Sequence, residues 1–167
     1  MLETKFKKVA LVTGSAGFIG YHTCRRLLDN GWSVIGLDSM SNYYSVSLKE
    51  EREHMLIEHG SYTSVHANLE TKNVMLELFE MYRPSIVIHL AAQAGGRHSI
   101  KHPRDYVQSN IIGTFELLEA ARAFPPAHIL MASTSSAYGA NKKMPNAETD
   151  HADHQLSLYA ATKKSTE

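Results

Sequence analysis

The stretch Thr13-Gly14-Ser15-Ala16-Gly17-Phe18-Ile19-Gly20 constrains this chain more than any other segment. It follows the apolar run Val9-Ala10-Leu11-Val12 and leads into a helical pattern, which predicts a strand-to-helix turn at the glycines. Glycine at such a turn permits the tight bend, lets backbone N–H groups approach a pyrophosphate, and lets the helix pack closely on the strand. The helix N-terminus adds free N–H donors and partial positive charge. The spacing Gly14, Gly17, Gly20 is one residue looser at the front than the usual G-x-G-x-x-G, and a glycine-rich turn alone says little. The context says more. Val34-Ile35-Gly36-Leu37-Asp38 is a second apolar run ending in an acid, 18 residues beyond Gly20. No Gly-Lys-Ser/Thr follows the glycines, so a P-loop is excluded.

With 167 residues, 43% of them apolar, the chain suits one domain with a substantial core. Acidic and basic residues balance at 17 each with no basic block, which argues against nucleic acid or an anionic membrane as the main partner. The single cysteine, Cys24, shares a helix face with Gly20, Leu27 and Leu28 and reads as a buried apolar thiol. A chain without an internal disulfide suits a reducing cytosol. No apolar run reaches membrane-spanning length, and the one after Lys5, Lys7 and Lys8 is too short for a signal peptide. A cytoplasmic protein is expected.

Strand and helix signals alternate along the chain. Strands are expected at Lys8–Thr13, Ser33–Asp38, Thr63–Ala67, Ile86–Leu90 and Ile129–Ala132. Helices are expected at Phe18–Asn30 (closed by Gly31), at charged and largely solvated Val46–His59, at Thr71–Tyr82, and from Ser157 onward. A long helix should run from near Pro103 to Pro125-Pro126 with an inner stripe of Val107, Ile111, Thr114, Leu118 and Ala121. This order predicts an α/β fold with a doubly wound, Rossmann-type parallel sheet. Met75, Met81 and Met131 fall on apolar faces and read as core. His98 and His102 have a spacing that could suit a metal, but Pro103 breaks the segment and no third ligand has a convincing spacing. They read as solvated histidines, and His151-Ala152-Asp153-His154 reads as a polar loop, so no metal is expected.

Tyr159-Ala160-Ala161-Thr162-Lys163 puts a phenol and an ammonium at i and i+4, on one helix face. A fixed neighbouring cation favours phenolate, which makes Tyr159 a candidate general base. Alone, such a pair is ordinary helix surface; it gains weight from the glycine turn upstream and from the Ser/Thr cluster after the fifth strand. Thr134 leaves the C-terminal end of that strand, where ligands of open α/β sheets collect. A Ser/Thr-rich turn that merely caps something local is the alternative there.

Together, Thr13–Gly20, His89–Gly95, Ser133–Gly139 and Tyr159–Lys163 resemble the signatures of the extended short-chain dehydrogenase/reductase family, in their expected order. The resemblance is closest to UDP-glucuronate 4-epimerases, and it extends to Asn42–Lys49 and Ser157–Lys164, covering essentially the whole chain. It implies NAD as cofactor and a UDP-sugar as substrate. By that resemblance Gly14, Gly17, Phe18 and Ile19 would hold the pyrophosphate, and Asp38 the adenosine ribose, bordered by Ser39, Asn42 and Lys49. Asn68 and Leu69 would flank adenine; Leu90, Ala91, Ala92 and Gln93 would line the nicotinamide side, with Asn110 nearby. Tyr159 would be the base, Lys163 its tuner and a ribose anchor, and Thr134 the hydroxyl partner. Arg97, Ser135 and Ser136 would face the sugar. The chain departs from the family pattern in having Asn68 where an Asp is common and Gly96 where a Val is usual.

The resemblance implies epimerisation at C4, UDP-glucuronate to UDP-galacturonate, through a 4-keto sugar, in the service of polysaccharide biosynthesis. A dehydratase or decarboxylase of the same family is the alternative, disfavoured by serines at 135 and 136, where those relatives carry acids. Members of the family run to roughly twice this length and often pair as homodimers through the long helices. The chain is therefore expected to be an N-terminal portion that lacks the C-terminal substrate domain, and by itself an inert NAD-binding module is a further alternative.

Overall fold

The computed structural model describes residues 8–167, so the basic positions Lys5 and Lys7 lie outside the described residues. Five strands, β1 (Val9–Thr13), β2 (Ser33–Asp38), β3 (Tyr62–His66), β4 (Ile86–His89) and β5 (His128–Met131), form one parallel sheet in the order β3-β2-β1-β4-β5. The chain builds outward from β1 through β2 to β3, then returns to lay β4 on the other side of β1. That reversal between β1 and β4 opens the crevice where ligands of open α/β sheets bind.

Period-two alternation in β1 feeds two cores. Val9 and Leu11 face one side of the sheet with Ile35, Leu37 and Val87, under α3 (Val74–Tyr82) and the later helix α6 (Gly113–Ala123). Ala10 and Val12 face the other side with Val34, under α1 (Phe18–Asp29) and α2 (Val46–Ile57). A strand covered on both faces must be apolar at every position, which is why β1 is buried throughout. Gly31 ends α1 at φ +74°, with its N–H on the Leu28 carbonyl and that of Trp32 on the Leu27 carbonyl. This is the paired closing pattern that a left-handed glycine permits.

Three expectations about helix faces need correction. The long helix is interrupted. After α4 (Gly96–Lys101) and α5 (Pro103–Tyr106), residues Val107–Ile112 form a π-helical turn before α6. A π turn inserts an extra residue and so rotates the face that follows. The buried set becomes Asn110, Gly113, Thr114, Leu117, Ala120 and Ala121, while Val107, Ile111 and Leu118 (44% exposed) turn outward. Met81 is 71% exposed, because α3 buries Met75 and Phe79 one turn apart; it starts at Val74, since Asn73 is left-handed at φ +70°. Helix α2 does bury a face, formed by Lys49, Glu53 and Leu56. Two of those three carry charge, so hydropathy alone hid the stripe. Cys24 is fully buried, and Met131 partly so. Among the described residues no helix is long and apolar enough to cross a membrane.

Candidate functional site

The glycine turn is pressed between two elements. Gly14 has φ +73°, and a Cβ there would lie 2.9 Å from the Ala91 nitrogen just beyond β4. A Cβ on Gly20 would lie 2.0 Å from the Gly14 carbonyl oxygen, so α1 descends directly onto the turn. Gly14 and Ser15 donate their N–H groups to the Leu37 carbonyl (2.7 and 3.2 Å), tying the turn to β2. Gly17 is the N-cap of α1 and offers no side chain to cap the first-turn N–H groups. Those donors are left for another acceptor. The side chains of Phe18 and Ile19 point out to solvent, and only their backbone can serve the turn.

Asp38, at the end of β2, is buried and already engaged. Its carboxylate accepts from Ala16 N–H (3.1 Å) and Met40 N–H (2.9 Å), and Lys49 reaches it at 3.4 Å. Lys49 also donates to Ser41 Oγ (3.3 Å) and lies 4.9 Å from the Tyr44 ring centre. The acid therefore faces the turn with one buried cation beside it. Lys49 was expected near the acid's ligand; its ion pair with the acid could not be read from spacing.

From this acid a cleft of about 790 Å³ runs along the strand ends. Asp38, Ser39, Asn42 and Lys49 line one part of it, Gly14 and Gly17 another, and Asn68 and Leu69 a third. Leu90, Ala91, Ala92 and Gln93 line it beyond β4. Tyr43, His98, His102 and Asp105 also line it and were not foreseen as part of it. Tyr43 packs edge-on against His98 with ring centres 5.0 Å apart, and its hydroxyl sits where a side chain on Gly95 would need space.

Behind the cleft a buried polar network joins β1 to β4. Thr13 Oγ1 accepts the N–H groups of Leu90 (3.2 Å) and Ala91 (3.1 Å) and lies 2.7 Å from His89 Nδ1. With both lone pairs used, its O–H must donate to Nδ1. The His89 proton therefore sits on Nε2 and is donated to Thr114 Oγ1 at 3.1 Å. Burial, with the nearby Lys163 ammonium, pushes His89 down to about 4. Asn110, on the π turn, accepts from Gln93 N–H (2.7 Å) and donates to the Gln93 carbonyl (3.1 Å) and to Thr162 Oγ1 (2.9 Å). It is 2% exposed and stands behind the cleft wall.

Thr162 belongs to α7 (Leu158–Lys164), capped by Ser157 Oγ accepting Ala160 N–H at 3.1 Å. Lys163 is buried, and loss of hydration pulls its ammonium below the ordinary lysine value. Tyr159 is half-buried and meets the Tyr106 ring edge-on at 6.1 Å. Thr134 Oγ1 accepts Ser136 N–H (3.2 Å) and opens a 3₁₀ turn, Ser135–Tyr138, that packs on α7. Ser135 and Ser136 line a separate cavity of about 340 Å³ with Asn146, Ser157 and Ala160. Thr134, Tyr159 and Lys163 line neither space, and Arg97 is exposed on α4.

The His89 network makes folding pH-dependent. An unfolded imidazole titrates near 6.5 and His89 in the fold at about 4. Between those values the unfolded chain holds the extra proton, so stability rises with pH across that window and is complete above it. Lowering the pH from 7 to 4 should remove on the order of 3 kcal/mol through this group. Urea unfolding of the parent chain and of His89→Gln at both pH values checks this. The variant should be less stable at pH 7 and lose less on acidification, whereas equal pH slopes would remove His89 from the account.

Residues 10–167 match the model of the NAD dependent epimerase/dehydratase family. A probable UDP-glucuronate 4-epimerase of Rhizobium meliloti is 49% identical over 157 residues, which span 94% of this chain and 46% of that protein. The UDP-glucuronic acid 4-epimerase of Bacillus cereus, solved with UDP-glucuronic acid and NAD, superposes with a TM-score of 0.87 at 33% identity, over 95% of this chain and 49% of that one. The UDP-glucose 4-epimerase of Thermotoga maritima, solved with UDP-glucose, gives 0.80 at 34% identity over 95% and 48%. The chain spans about half the length of the curated relatives it matches. With the glycine turn, the acid that ends β2 and all of the five-stranded parallel sheet but Val9 inside the matched residues, the chain belongs to the NAD dependent epimerase/dehydratase family.

Proposed function

We propose that the cleft holds NAD and that the protein carrying this chain epimerises a nucleotide sugar at C4, with UDP-glucuronate and UDP-galacturonate as the pair. The observation that carries this reading is the single cleft that joins Asp38, an uncapped helix N-terminus and the Leu90–Gln93 wall. Its donor set fits the cofactor: N–H groups for a pyrophosphate, a carboxylate for ribose hydroxyls, and apolar surface at Leu69, Leu90 and Ala91 for flat rings. The names of the relatives support the sugar and the position of the change.

In this reading the cofactor supplies a reversible hydride acceptor. The chain's residues bind, orient and move the proton. Tyr159 takes the proton of the sugar 4-hydroxyl, Thr134 hydrogen-bonds the same oxygen, and Lys163 keeps positive charge on the phenol's helix face. Arg97, Ser135 and Ser136 meet the sugar. Asn110 acts on position, holding Gln93 and α7 together. The cavity at Ser135 and Ser136 has no acidic or basic residue in its lining, which favours epimerisation over a dehydratase or decarboxylase. Homodimerisation is part of the proposal, because Ile111, Phe115 and Leu118 form an outward apolar stripe. So are a cytoplasmic location and catalytic silence of this chain on its own.

Calorimetric titration of this chain with NAD and NADP tests the cofactor. NAD should bind about tenfold or more tightly, since Asp38 repels a 2′-phosphate and Lys49 is already committed to Asp38. Equal or tighter NADP binding would overturn it. In the full-length protein, Tyr159→Phe should lower epimerisation by about 10²–10⁴-fold while NAD affinity holds. Near-normal turnover in an assay of the sugar product would remove Tyr159 as the base.

A further inference from the structure

Beside the proposed cofactor site, the wall of the cleft carries a cluster that the reaction does not use. His98 lies on α4, His102 just past its end, and Asp105 on α5. One ligand atom from each lies within 4.8 Å of the other two. The two imidazoles stack with ring centres 4.3 Å apart and planes 17° from parallel. Helix α4 stops at Lys101, and α5 restarts at Pro103, bringing Asp105 to the histidine pair. The three stand at i, i+4 and i+7, positions that share one face of a helix, and they stay together across the break at His102. Asp105 is thus the third ligand that the spacing offered and that the proline at 103 obscured.

None of these three side chains has a hydrogen bond or ion pair elsewhere among the described residues. Among the described residues Asp105 pairs with no Lys or Arg, although Lys101 and Arg104 are close in sequence. His98 is partly buried beneath Tyr43, while His102 and Asp105 are exposed.

We propose that His98, His102 and Asp105 bind one divalent transition ion of the Zn²⁺ class at the mouth of the cleft. Two imidazoles and a carboxylate are the donor set such ions take. Tetrahedral bonds of about 2.0–2.2 Å set ligand atoms roughly 3.4 Å apart. The donors therefore need to close by about an ångström, within reach of the exposed His102 and Asp105 side chains. Three protein ligands leave a fourth position open, and all three residues line the cleft. Neutral imidazoles and one carboxylate leave net positive charge on a divalent ion, so the fourth position takes water or an anionic oxygen of whatever fills the cleft. Because His98 supports Tyr43, the ion also holds the Tyr43 loop against the cleft wall.

The probe is Co²⁺ titrated into the whole chain, followed by its visible d–d absorption, with Zn²⁺ added in competition. One Co²⁺ per chain, displaced by Zn²⁺, is expected. His102→Ala and Asp105→Asn should each weaken it by at least the roughly 10- to 100-fold that even outer-shell changes cause, with circular dichroism unchanged because both residues are exposed. His151→Ala, in the other histidine-rich loop, should leave the affinity as it was. Absence of a stoichiometric Co²⁺ spectrum would overturn the proposal, as would binding insensitive to His102→Ala, or binding lost only in His151→Ala.

Discussion

The contact of Thr13 with His89 is the interaction on which the rest of this structure depends. Parallel strands part company at the point where the winding reverses, and backbone groups leaving the sheet there lose their ladder partners. Thr13 closes that seam. One hydroxyl accepts from the N–H groups of Leu90 and Ala91 and donates its own O–H to His89, which is braced in turn by Thr114 from α6. All three side chains are buried, so each polar atom must find its partner inside the protein. The wall of the cleft beyond β4 is thereby fixed to the strand that delivers the glycine turn.

A second tier of buried polar groups extends this order outward. Asp38 is oriented by the Ala16 and Met40 N–H groups and balanced by Lys49, so its carboxylate is aimed before any ligand arrives. Asn110 couples the same wall, at Gln93, to Thr162 on the helix that bears Tyr159 and Lys163. A π turn is what allows an asparagine to face inward there, and such turns gather at functional sites because they re-aim a single residue. Geometry set by buried partners holds a site more tightly than loops alone.

Much of this was legible in the sequence because it rests on local rules. Apolar runs bounded by glycine or proline marked four of the five strands, β3 being short and mixed, and the glycine turn with Asp38 marked the strand ends where the cleft opens. What escaped rests on pairings distant along the chain or on irregular backbone. The outward face of Val107, Ile111 and Leu118 follows from one π turn that no periodicity announces. Lys49 is buried through its ion pair with Asp38, and Glu53 through hydrogen bonds with His66 and Ser64, so a hydropathy pattern misfiles them as solvated. The pairing of the Asn110 amide with Gln93 and Thr162, from behind the wall, joins residues far apart in the chain and has no sequence signal. The His98–His102–Asp105 cluster has the i, i+4, i+7 spacing of one helix face, and it persists across a proline that had read as an obstacle.

The claim that the Thr13 hydroxyl shapes the cleft is tested most directly by NAD calorimetry on Thr13→Val. Valine keeps the volume and the strand preference but leaves the Ala91 N–H without its acceptor and the Leu90 N–H with the Thr13 carbonyl alone, a loss of about 1–3 kcal/mol for a buried donor. The account predicts a folded variant of lower stability whose NAD affinity drops by about tenfold or more. A Thr13→Val chain that binds NAD as tightly as the parent would contradict it.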